Sequence, residues 1–145
     1  MTLSPAQVHQ GSHSVNMKIA MNGTMEEAIA KTTQALQEQG FGILTRIDLH
    51  SKIKEKLGKD VAPTVILGAC NPALAFEAYS ANSDVASLLP CNAVIRELAP
   101  GRISVELAKP TALMEMLGDD HLVTLARAAD QKLEKVLEYL GRKSS

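Results

Sequence analysis

The stretch Val61-Ala62-Pro63-Thr64-Val65-Ile66-Leu67-Gly68-Ala69-Cys70-Asn71-Pro72 passes from a β-branched apolar run to a helix start. Val61 to Leu67 reads as a strand, and Pro63, which cannot donate to a ladder, puts it at an edge or bulge. Gly68 ends that strand. Asn71 is a good N-cap because its short side chain accepts a free helical N–H, and Pro72 suits the first helical position, where its missing N–H costs nothing. Leu74, Ala75 and Tyr79 supply the apolar face of the helix that follows. A strand joined to a helix is therefore the organising unit.

The same unit recurs upstream. Val15, Met17, Ile19 and Met21 alternate with more polar neighbours, the period of a half-buried strand, and Asn22-Gly23 ends it. Thr24-Met25-Glu26-Glu27 has the form of a capping box, after which Met25, Ala28, Ile29, Thr32, Ala35 and Leu36 recur at helical spacing up to Gly40. Phe41, Ile43, Thr45 and Ile47 alternate as a second strand. Asp48 then caps a short helix with Leu49, Ile53 and Leu57 inward and Gly58 at its end.

Downstream, Cys91 to Leu98 and Ile103 to Ala108 read as two antiparallel strands joined through Ala99-Pro100-Gly101-Arg102, with Ile103, Val105 and Leu107 inward. Lys109 to Gly118 reads as a connection. Asp119 or Asp120 starts a last helix whose stripe is Leu122, Leu125, Ala126, Ala129, Leu133, Val136, Leu137 and Leu140. Such a face must pack on something large, most simply a sheet covered by the two longer helices. The expected organisation is a mobile segment over 1–14, one α+β domain over 15–141, and a tail over 142–145.

A chain of 145 residues buries roughly 70% of its unfolded surface on folding, enough for a core without staples. Net charge is −1, Trp is absent and the aromatics are Phe41, Phe76, Tyr79 and Tyr139, so the basic footprint and stacking platform of a nucleic-acid binder are missing. No apolar run reaches membrane-spanning length and no signal peptide is evident. Two cysteines in a chain with a viable core are expected as reduced thiols, which places the protein in the cytoplasm.

Both cysteines sit in one repeated word, each followed by asparagine: Gly68-Ala69-Cys70-Asn71-Pro72 and Leu88-Leu89-Pro90-Cys91-Asn92. Their spacing does not fit a Cys-x-x-Cys redox pair, and two sulfurs are too few for a structural zinc site. Next to a helix N-terminus the Cys70 thiol would be depressed, the setting of a nucleophile, redox sensor or soft-metal ligand, with Cys91 as partner or resolving thiol. The word also has a structural reading, with Asn71 a cap, Pro72 an N1 residue and Cys70 a small buried apolar side chain. Gly68-Ala69 before a helix would let backbone N–H groups approach an anion, although no nucleotide-cradling glycine motif is present.

Other residues carry weaker signals. Met114 and Met116, on one side of an extended segment, would join the thiols in a soft site for Cu(I), or fill core or a dimer contact. His50 and His121 lie near helix starts without a recognisable ligand spacing. Asp48 reads as a cap before it reads as a general base, and Lys52, Lys54, Glu55, Lys56 and Lys59 as a solvated helix face.

The run Gly40-Phe41-Gly42-Ile43-Leu44-Thr45-Arg46-Ile47-Asp48, the Lys56-Leu57-Gly58 word and the two Cys-Asn words, in this order, closely resemble the domain of unknown function 302 (DUF302) family over roughly Met17 to Tyr139. The resemblance implies a small α+β domain with helices on a mainly antiparallel sheet, often a homodimer, widespread in bacteria and archaea. It implies no established activity and identifies no catalytic residue. The expectation is an uncharacterised cytoplasmic domain that binds a small ligand or metal near Gly68, Cys70, Asn71, Cys91 and Asn92. The alternatives are a thiol-dependent redox enzyme or sensor, with Cys70 attacking and Cys91 resolving, and a structural homodimerisation domain.

Overall fold

The computed structural model describes residues 16–144. The first strand, β1 (Asn16–Asn22), leads through Gly23 into α1 (Met25–Glu38). The capping box forms as its sequence demands: Glu27 N–H donates to Thr24 Oγ1 at 3.1 Å and Thr24 N–H to Glu27 Oε1 at 3.0 Å. There follow β2 (Gly42–Asp48), α2 (Leu49–Leu57), β3 (Thr64–Cys70), α3 (Pro72–Ala81), a 3₁₀ turn (Ser83–Leu88), β4 (Cys91–Ala99), β5 (Arg102–Ala108), α4 (Pro110–Glu115) and α5 (Asp120–Ser144).

The five strands form one sheet in the order β1-β5-β4-β3-β2, every neighbouring pair antiparallel. Since β1 and β2 occupy opposite edges, α1 must cross the sheet between them, and it does so on the apolar face. Met21, Val65, Leu67, Ala93, Ile95, Ile103, Val105 and Leu107 point from that face into a core closed by Ala28, Ala35 and Leu36 of α1 and by Leu133, Val136, Leu137 and Leu140 of α5. The fold is the expected α+β arrangement, with the hairpin β4–β5 turning at Gly101 (φ 79°).

The 25 residues of α5 reach roughly 37 Å at helical rise, long enough to serve two cores. Its later turns seal the main one. Its first turns, through Leu122 and Ala126, pack with Val85 and Met114 in a second cluster beyond the ends of β3 and β4.

Several expectations need correction. β3 starts at Thr64, runs through Gly68 to Cys70, and lies inside the sheet between β4 and β2. Pro63 precedes it, its carbonyl accepting Glu97 N–H at 2.9 Å, so proline terminates the approach to the strand without breaking its ladder. Asp48 makes no side-chain cap to α2; Arg46 Nε, at 2.8 Å, draws its carboxylate away. No residue of α2 is buried, and Leu57 is exposed. Lys109 to Gly118 contains the helix α4, so Met114 is buried while Met116 points to solvent. α5 continues to Ser144. The segment expected to be mobile over 1–14, and the start of the first strand at Val15, lie outside the described residues.

Candidate functional site

The register of β3 on β4 pairs Ala69 with Cys91 and Gly68 with Asn92, so the two Cys-Asn words, 21 residues apart in sequence, run side by side. Paired residues on antiparallel strands share a face of the sheet. Cys91 therefore lies with Ala69 on the helix-covered face, whereas Asn92 lies with Gly68 on the other and is exposed. Cys70, next along from Ala69, leaves the strand end half-buried, and both thiols are free.

Gly68 is required by what lies over it. A Cβ there would collide with Thr45 Oγ1 and come within 2.8 Å of Pro90 Cγ, so glycine lets the ring from the second word and the hydroxyl from β2 pack on the first word. Gly68 and Ala69 belong to the ladder, paired on both sides, and not to an anion cradle before α3.

Asn71 is the N-cap, its Oδ1 accepting Leu74 N–H at 3.2 Å. Its Nδ2 donates to Gln39 O at 3.3 Å, at the C-terminal end of α1. Gly40 turns beneath this amide at φ 84°, where a Cβ would stand 2.9 Å from Nδ2. Asn71 thus joins the end of one helix to the start of another. The Leu74 N–H at the start of α3 goes to the asparagine.

Beyond the strand ends, α3, α4 and α5 enclose a cleft of about 60 Å³ lined by Cys70, Cys91, Asn71 and predominantly apolar side chains including Leu74, Ala75, Met114 and Leu125. Asn92 is not among its lining residues. Tyr79, expected on the apolar face of α3, points outward with Phe76, while Leu74, Ala75 and Ala78 face the cleft. Burial pushes the Cys91 thiol up to about 11, and the nearby negative charges of Cys70 and Asp130 push in the same direction.

Asp130 is the residue that local sequence reading missed. It is buried in α5, its Oδ1 accepting Thr111 N–H at 3.0 Å and its Oδ2 the Thr111 hydroxyl at 2.6 Å. It caps α4 from 19 residues away, where Lys109 supplies no side-chain cap. Its signal was an acidic residue beside Ala129 and before Leu133, within an otherwise apolar stripe. Asp130 enters no ion pair among the described residues.

No group of three or more His, Cys, Asp or Glu able to hold a metal occurs among the described residues. His50 Nδ1 is taken up by Thr64 N–H at 3.0 Å, securing the start of β3, and His121 is exposed on the first turn of α5. No described helix is long and apolar enough to cross a membrane.

The model of the family described as Domain of unknown function DUF302 matches residues 17–140. The crystal structure of an uncharacterised conserved DUF302 protein from Bacillus stearothermophilus is similar at 30% identity and a TM-score of 0.81, covering 87% of this chain and 98% of that one. No curated protein matches the chain.

Proposed function

The chain belongs to the DUF302 family, and because that membership brings no activity with it, we propose from the cleft itself a non-enzymatic module that binds a small ligand or metal ion beside Cys70 and Cys91. The observation that carries this reading is the convergence of both thiols of the chain on one apolar cleft. Its about 60 Å³ of room for water-sized centres admits several waters at roughly 10–15 Å³ each, so the occupant in this reading is small. Of the five residues expected at the site, Cys70, Asn71 and Cys91 line the cleft, and Gly68 and Asn92 are not among its lining residues.

The redox reading gains less support. Cys70 and Cys91 start from opposite faces of adjacent strands, and a thiol at about 11 is protonated at neutral pH and slow to attack or resolve. Homodimerisation has one observation in its favour: Phe76 and Tyr79 expose large aromatic surface three residues apart on α3, 73% and 53% accessible. Free thiols fit a reducing cytoplasm.

Native mass spectrometry of protein purified gently from its own host, with metal analysis of the same sample, tests the binding reading against Ala75→Phe, which fills the cleft. A bound mass or metal on the parent chain that Ala75→Phe loses supports it; two clean apo spectra overturn it. The same spectra report subunit number.

A further inference from the structure

We propose that the cleft takes a neutral, short-chain aliphatic molecule, with both cysteines serving as part of its apolar wall. The inference rests on the binding reading above and names the ligand class. Sixteen of the described residues line the cleft, and none of them carries a charged side chain. The room exists because two helices meet it with small side chains, Ala75 and Ala78 on α3 and Ala126 and Ala129 on α5.

The wall selects a ligand by what it does not offer. A charged group taken from water into an apolar site is costly unless it meets a partner there, and the polar side chains on this wall offer little. Asn71 has its amide engaged at both ends, Oδ1 accepting from Leu74 N–H and Nδ2 donating to Gln39 O. Thiols are weak donors and acceptors that behave as small apolar groups, and Cys91, pushed up to about 11, stays protonated at neutral pH. Asp130 is not on the wall, yet its charge acts on Cys91, so it adds repulsion against an anion. A cation meets no carboxylate among the lining residues.

An aliphatic chain needs none of these partners. Apolar cavities take up apolar guests, and each methylene removed from water adds to affinity. Room for several waters is room for a chain of a few carbons. The helix α3 gives a second observation: its ten residues are largely apolar, yet none of them is buried. Leu74, Ala75 and Ala78 stand half-buried over the cleft. A guest would finish covering the apolar surface that folding leaves open there.

The test is an amide NMR titration of the full chain with n-butanol, n-pentanol and n-hexanol, and with hexanoate and hexylammonium as charged counterparts of the last. The expected result is one saturable site, with shifts centred on α3 and the first turns of α5, tightening by about 4-fold for each added methylene. The two charged counterparts bind at least about 100-fold more weakly. Ala75→Phe and Ala126→Leu fill the cleft from different helices and each weaken n-hexanol by at least about 10-fold, with a thermal melt verifying that the variant compared is folded. Cys70→Ser leaves the affinity within about 3-fold, since the thiol is wall and not ligand. Non-saturating shifts scattered over the surface, a charged counterpart bound as tightly as the alcohol, or full affinity in a folded cleft-filling variant overturns the proposal. Native spectra separate the two readings: a bound mass removed by Ala75→Phe, without saturable alcohol binding, sinks the aliphatic ligand and spares the binding module, whereas an empty cleft with no alcohol binding sinks both.

Discussion

The words Cys70-Asn71 and Cys91-Asn92 are the same dipeptide on neighbouring strands, yet the structure gives the paired residues opposite work. Asn71 follows a strand that ends, so its amide is free to cap α3 and hold α1. Asn92 follows a strand that begins, so its backbone enters the ladder and its side chain goes to the open face. The cysteines differ in the reverse sense: Cys91 is locked on the covered face, whereas Cys70 sits at the strand end where the cleft opens. A repeated word thus marks a place where two segments meet, and position in the strand decides which member of each pair faces the shared space.

The sharpest way to break that meeting is at Gly68, where the ring of Pro90 in the second word covers the first. Gly68→Ala puts a methyl against Thr45 Oγ1 and Pro90 Cγ, and both are short, backbone-tethered groups with little room to yield. The expected loss in urea unfolding is about 3 kcal/mol, the upper end for overpacking. Thr45→Ala in the same background should recover part of it. Full tolerance of Gly68→Ala would mean that the two words are not packed together as described.

The next effect separates the thiols by pH. Cys91 lies at about 11 in the fold against an ordinary 9.0, so between those values the unfolded chain gives up a proton that the folded chain retains. Its contribution is fully present below pH 9 and is lost as pH rises through 11, by roughly 2 to 3 kcal/mol. Denaturant melts across this window should show the parent chain falling more steeply than Cys91→Ala. Parallel curves would remove the buried-thiol half of the comparison.

Asn71→Ala comes third. It deletes a cap and a link between two helix ends, and should cost about 1 to 2 kcal/mol. An unchanged melt would show that Leu74 N–H and Gln39 O find partners elsewhere.

Asn71 was legible before the structure because a cap is local: Asn then Pro after an apolar strand leaves few alternatives. The capping box of α1, the alternation in β1 and β5 and the stripe of α5 were legible for the same reason, since each is written within a turn or two of itself. α4 was not, because the carboxylate that caps it is supplied by Asp130 on another helix. Gly68 read as a strand terminator because its reason, Thr45 and Pro90 overhead, is brought there by tertiary pairing. Asp48 read as a cap since nothing local revealed that Arg46 would take its carboxylate. At the cleft, the thiols were legible as a pair of words, but that Met114 joins them and Met116 does not depends on a helix that the local pattern concealed.

The smallest expected effect tests the comparison from its silent side. Asn92 is exposed, lies in a central strand on the face away from α1 and α5, and is not among the residues lining the cleft. Asparagine is also a poor strand former, so its replacement removes no packing and relieves a weak mismatch with the pleated backbone. Asn92→Ala should change stability by less than about 0.5 kcal/mol. If instead it destabilised the protein as much as Asn71→Ala, the open face of β4 would carry a contact that the isolated chain does not show, and the two words would share one role after all.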